Sequence, residues 1–107
     1  MELDVLTVGR VGVDLYAEQL RVPLAEVRSF AKSIGGSPTN VAVAAARLGH
    51  RSAVLTKVGD DELGAYVRSA LEGFGVDTRF VGSHPSLRTP VVIAAMEQPE
   101  EPWFVFY

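Results

Sequence analysis

The chain has no cysteine, which excludes a disulfide framework, a thiolate nucleophile and a cysteine-ligated metal. Histidine is nearly as scarce: His50 and His84 stand alone, lack the spacing of metal ligands and are expected at the solvated surface. Lysine and arginine form no cluster, and the formal net charge is −3, which argues against a nucleic-acid partner or an anionic membrane surface. No apolar run approaches the roughly 18 residues a membrane-spanning helix needs. The opening stretch MELDVLTVG enters an apolar pattern without the basic and then apolar segments of a secretory signal, so a cytoplasmic protein is expected. Two nucleotide signatures are also missing: the Gly-Lys-Ser/Thr ending of a P-loop and the three spaced glycines of a dinucleotide fold.

What is present fits a folded domain. The 107 residues are 48% hydrophobic, and the length is about that of one domain with its own core. Residues 5–8 form a short apolar run ended by Gly9, the pattern of a buried strand opening into a loop. Residues 13–17 read as a strand interrupted by Asp14, residues 18–28 as a loop holding Pro23, and residues 29–34 as a second strand.

The stretch GGSPTNVAVAAARLG, residues 35–49, then combines features of a strand-to-helix turn. Ser37 is placed to cap a helix with Pro38 at its first position, alanines carry it to Leu48, and Gly49 is placed to end it in the left-handed region. That helix is apolar almost all round, so both of its sides are expected to be covered.

Residues 52–58 form the next strand. Asp60 and Asp61 cap a second helix in which Leu63, Val67, Ala70, Leu71 and Phe74 recur at helical spacing. Strand, helix, strand, helix implies an α/β layered fold with parallel strands. After Thr78 the pattern changes to three strand candidates, residues 79–81, 89–96 and 103–107, expected as an antiparallel flap on the α/β body. Because WFVFY, residues 103–107, is the most hydrophobic pentapeptide, the chain is expected to be the front portion of a longer protein.

Candidate functional residues cluster early. Asp14 sits on the strand face opposite Val13 and Leu15, where an ionised carboxylate, an acceptor without donors, could take hydrogen bonds from ligand hydroxyls. Gly35 and Gly36 allow a small polar ligand close to the backbone beside a helix N-terminus. Asn40, one turn into the helix, offers both a donor and an acceptor in a place where asparagine is a weak helix former. Arg10 follows the glycine that ends the first strand and could hold a carboxylate with its planar fork of donors. Arg88 and Tyr107 occupy strand ends and linking loops, where binding residues concentrate in α/β sheets.

Together these residues resemble the N-terminal signature of the PfkB (ribokinase-like) family of carbohydrate kinases. Gly35, Gly36, Pro38, Asn40, Ala42, Gly49 and Gly59 fill its positions over about twenty-five residues, and Val8-Gly9 leading to Asp14 looks like the family's first strand and sugar-contacting aspartate. Within the family, GRVGVDLY and SFAKSIGGSPTNVAVAAARLG look most like the members that phosphorylate 5-dehydro-2-deoxygluconate, with those acting on 2-keto-3-deoxygluconate close behind.

The resemblance implies a ribokinase-like layered fold and ATP-dependent phosphorylation of a sugar or sugar-acid hydroxyl, with Mg²⁺ bridging the phosphates. By it, Asp14 and Asn40 hold substrate hydroxyls, Gly35 and Gly36 lie under the sugar, and lid strands at about 12–34 and 89–107 exclude water and pair into a homodimer. The family's catalytic aspartate stands in a glycine-rich motif that this sequence does not contain, so the 107 residues alone are expected to bind substrate without catalysing. Two other classes stand beside this reading: a non-enzymatic small-molecule binding module, and a dinucleotide domain, which the absence of a third glycine after the first strand disfavours.

Overall fold

Valine and leucine at alternating exposure form β1 (Val5–Val8), and β2 (Gly12–Ala17) follows after a three-residue link. In this computed structural model, which describes residues 2–107, a single 3₁₀ turn (Leu24–Glu26) separates β2 from β3 (Phe30–Gly35). Helix α1 (Ser37–Arg47), β4 (Ser52–Gly59) and helix α2 (Glu62–Gly73) come next. Three strands close the order: β5 (Val81–His84), β6 (Val91–Ala95) and β7 (Trp103–Phe106).

The strands make two sheets. One is parallel and runs β1-β4-β5, with Val5 opposite Ser52 and Thr56 opposite Val81. The other runs β3-β2-β6-β7. Its outer pairs are antiparallel, with Val13 opposite Ile34 and Ala94 opposite Phe104, but its central pair is parallel, with Val13 opposite Val91. The α/β architecture expected from the sequence is therefore present, while the flap is a mixed sheet into which β2 and β3 are built.

The first of the three late strand candidates lies elsewhere. Residues 79–80 form a turn closed by the Val81 N–H on the Thr78 carbonyl at 3.0 Å. The Asp77 carboxylate holds that turn by accepting from the Arg79 backbone N–H at 2.9 Å. An aspartate bonding two residues onward is a turn former, so the strand starts at Val81 and joins the parallel sheet.

Helix α1 packs on β1 and β4 of the parallel sheet, helix α2 packs against both β4 and β2 of the mixed sheet, and the core they close is built from Val11, Val13, Ala42, Val54, Val58, Val67, Leu71, Val76 and Val81. Two side-chain bonds fix α1 there: the Thr7 hydroxyl donates to the Pro38 carbonyl at 2.8 Å, and the buried Ser52 hydroxyl donates to the Ala42 carbonyl at 2.7 Å. Only one side of α1 is covered, contrary to expectation, since Val41 is 54% and Leu48 78% exposed. Alanine-rich composition permits burial on every face without dictating it, and the sheet supplies cover on one face only.

The helix also starts one residue earlier than its serine suggests. Gly36 is the N-cap, at φ 107°, Ser37 is the first helical residue, and no side chain caps the helix. That φ lies where residues with a Cβ are strained, so the turn itself requires glycine and leaves the serine inside. The other termini follow the sequence. Gly49 has φ 89° after the C-cap Leu48, and Asp61 caps α2 by accepting the Gly64 N–H at 2.7 Å. Among the described residues, no helix is long and apolar enough to cross a membrane.

Candidate functional site

The site forms where the two sheets meet the start of α1. The antiparallel register of β2 and β3 sets Asp14 opposite Ser33 and Gly12 opposite Gly35. A strand's period of two turns Asp14 away from the core that takes Val13 and Leu15. Its carboxylate then lies over Gly35 so closely that a methyl group there would collide with its oxygens. A methyl on Gly36 would collide with the Arg10 carbonyl oxygen. The double glycine thus brings three backbone segments together, and Asn40 stands one helical turn beyond.

Arg10, Asp14, Gly36, Ser37 and Asn40 line a cavity of about 250 Å³. Its remaining wall is β6 and β7, through Val92, Phe104 and Phe106. The Arg10 guanidinium lies 5.6 Å from the centroid of the Phe106 ring, linking the end of β1 to β7.

Burial raises the Asp14 pKa above its ordinary value, because a carboxylate removed from water loses hydration that favours its charged form; the nearby Arg10 charge opposes the shift. Among the described residues the Asn40 side-chain amide makes no hydrogen bond, although its backbone N–H donates to the Gly36 carbonyl. A local bond to the preceding turn therefore does not account for an asparagine at this position. The pocket combines an acceptor-only carboxylate, an amide with both capacities, a guanidinium and the open first turn of a helix, whose N–H groups lack partners in the helix. Such a set can orient a small molecule carrying several hydroxyls and an acidic group, and the two phenylalanines shield one side of it from water.

Of the sequence candidates, Arg10, Asp14, Gly36 and Asn40 come together, and Gly35 lies directly behind Asp14. Tyr107 does not. Its backbone pairs with Val91, and its side chain lines a separate cavity of about 460 Å³ with Asp61, Leu63, Arg88 and Thr89. The reason is again the period of two: on β7 the face of Phe104 and Phe106 points into the site, and Tyr107 belongs to the other face. Those two phenylalanines are the residues that sequence reasoning missed as site walls; the alternation in WFVFY was the available signal. His84 has a local task, its Nδ1 accepting the backbone N–H groups of Ser86 at 3.1 Å and Leu87 at 2.9 Å.

Comparisons with known proteins bear on the fold and the family. Residues 2–107 match the model described as pfkB family carbohydrate kinase. A 5-dehydro-2-deoxygluconokinase from Halalkalibacterium halodurans is 32% identical over 107 residues, 99% of this chain and 32% of its own length. One from Lacticaseibacillus casei is 42% identical over 77 residues, 72% of this chain and 24% of its own. Among solved structures, an uncharacterised sugar kinase from Pyrococcus horikoshii superposes with a TM-score of 0.88 at 34% identity, covering 96% of this chain and 35% of that one. The fructokinase of Halothermothrix orenii gives 0.85 at 30% identity, with 98% and 37% covered. The chain spans between a quarter and a third of the length of these curated relatives.

Proposed function

Because the chain belongs to the pfkB family of carbohydrate kinases, we propose that it supplies the substrate-binding part of an ATP-dependent sugar-acid kinase. The acceptor would be a hydroxyl of 5-dehydro-2-deoxygluconate, or else of the related 2-keto-3-deoxygluconate. The observation that carries this reading is the convergence of Arg10, Asp14, Gly36 and Asn40 on one small cavity walled by Phe104 and Phe106. Two relatives named 5-dehydro-2-deoxygluconokinase support the choice of substrate.

In this reading the Asp14 carboxylate accepts hydrogen bonds from substrate hydroxyls and the Asn40 amide both donates and accepts. Arg10 pairs with the substrate carboxylate through its fork of donors, a contact that a neutral hexose does not need. Gly35 and Gly36 allow the sugar to lie against the backbone. The β3-β2-β6-β7 sheet is the lid, and its phenylalanines keep water, a competing phosphoryl acceptor, away from the reacting hydroxyl.

ATP and Mg²⁺ belong to the proposal but to no residue described here. Among the described residues, no group of three or more histidine, aspartate and glutamate side chains could hold a metal ion, and no glycine-rich phosphate loop is present. A homodimer through the lid sheet is part of the same reading. Trp103 and Tyr107, on the lid face turned away from the site, remain 42% and 74% exposed, and apolar sheet surface of this kind favours pairing with a second copy.

The test is steady-state kinetics of the protein at its relatives' full length. Asp14→Ala and Asn40→Ala each lower kcat/KM by roughly 5- to 150-fold, the effect of losing one hydrogen bond of about 1–3 kcal/mol to a ligand, without lowering the melting temperature. Values within twofold of the parent for both variants would sink the assignment. Preference for fructose or ribose over both sugar acids would remove the role given to Arg10.

A further inference from the structure

Helices α1 and α2 are separated by a groove of about 420 Å³ that shares only Asn40 with the lining of the Asp14 cavity. Val43 and Ala44 from α1 and Ile34 from β3 make it apolar. Two cations reach into it, one resting on the ring of Tyr66 in α2 and the other on that of Phe74, the C-cap of the same helix. The Lys32 Nζ lies 3.9 Å from the Tyr66 ring centroid, and the Arg47 guanidinium lies 5.0 Å from that of Phe74. The Tyr66 hydroxyl donates to the Lys32 carbonyl at 3.4 Å, tying the ring to β3.

No acidic side chain lines the groove. Among the described residues the ion pairs are Arg21–Glu100, His50–Asp4, Arg51–Asp4 and Arg79–Asp77, so neither Lys32 nor Arg47 has a carboxylate partner. In a chain with more acidic than basic residues, two unpaired cations converging on one apolar groove are a distinctive local charge.

We propose that the groove between α1 and α2 is a binding site for a small amphiphilic anion: an apolar or aromatic body carrying a carboxylate, sulfonate or phosphate. The volume lies within the range of roughly 300–1,000 Å³ usual for small-molecule pockets. The apolar body lies on Ile34, Val43 and Ala44 between the two rings, while the acidic group takes one or both cations. An exposed cation–π contact is weak, so each cation can turn from its ring to a charge-assisted hydrogen bond, which is stronger. The groove shares the wall residue Asn40 with the Asp14 cavity, but the anion-binding residues proposed for it, Lys32 and Arg47, take no part in the kinase reading.

The probe is 8-anilinonaphthalene-1-sulfonate, titrated by fluorescence and calorimetry into the protein at its relatives' full length. Saturable binding is expected at one site. Lys32→Gln and Arg47→Gln each weaken it by at least fivefold, and Ala44→Trp, which fills the groove from the exposed side of α1, abolishes it. All three variants are expected to melt like the parent. N-phenyl-1-naphthylamine, the same body without the sulfonate, binds at least tenfold more weakly.

The proposal is overturned if binding is not saturable, if the Lys32→Gln/Arg47→Gln double variant binds within twofold of the parent, or if the neutral analogue binds equally well. Retention of binding by Ala44→Trp would put the probe elsewhere, on surface such as Phe104 and Phe106, and would also overturn it.

Discussion

Thr89 gives both its backbone N–H, at 2.9 Å, and its hydroxyl, at 2.6 Å, to the carboxylate of Asp61. The same hydroxyl accepts the Gly59 N–H at 3.0 Å, in a buried setting. Asp61 also caps α2 through Gly64, so one aspartate and one threonine join the end of β4, the start of α2 and the approach to β6. Replacing Thr89 with valine keeps the shape but leaves the Gly59 N–H unpaired. The expected cost is about 1–3 kcal/mol of stability, read as a lower urea midpoint for the full-length protein. Thr89→Ser should retain most of the difference; equal losses in both variants would assign the effect to packing instead.

The same contacts predict acid sensitivity. The bonds from Thr89 and then Gly64 hold the Asp61 pKa below its ordinary value. A depressed folded-state pKa contributes stability that is present above the unfolded value and is lost as pH falls through the folded one. Asp61→Asn mimics the neutral acid. It should therefore melt below the parent at neutral pH, with the difference shrinking steadily once the pH drops under about 3.8. A constant difference across the whole range contradicts this origin.

Asp14 carries the opposite sign. Burial raises its pKa above the ordinary carboxylate value, so the fold favours the protonated form and the penalty of ionisation grows as pH rises through that region. At pH 7 Asp14→Asn should melt above the parent while losing substrate affinity, the exchange of stability for activity seen when a site carboxylate is held in a desolvated place. The gain should disappear well below pH 3.8. Calorimetric scans beside substrate titrations test both halves, and a variant less stable than its parent at pH 7 refutes the first.

Gly35 and Gly36 should fail differently. Gly35→Ala sets a methyl against the Asp14 carboxylate, so Asp14→Ala made in the same protein should restore much of the lost stability, a coupling measurable in a double-mutant cycle. Gly36→Ala combines a collision with the Arg10 carbonyl oxygen and a φ of 107°, and no substitution at Asp14 should relieve it. Additive losses in the first pair would show that the collision is absorbed elsewhere.

For the homodimer, sedimentation of the full-length protein at micromolar concentration should give twice the monomer mass. Trp103→Glu should shift it to monomer by placing a charge on the lid face turned away from the site. A monomeric parent counts decisively against pairing through the lid.

The residues 35–49 show how far local chemistry reaches. A double glycine, a proline and a terminal glycine specify turn, helix start and helix stop through backbone sterics alone, and α1 forms between Gly36 and Gly49 accordingly. Asp61 as a cap and Asp14 facing away from Val13 are likewise decided within a few residues. The parallel pairing of β2 with β6, the assignment of β5 to the other sheet, the Asp61–Thr89 clasp and the entry of Phe104 and Phe106 into the Asp14 cavity are not. Each depends on which distant strand lies alongside and in which register. A strand's sequence marks its two faces but does not say which face meets the site; that choice, which set Tyr107 apart from Phe106, is made by long-range pairing and by the burial it brings.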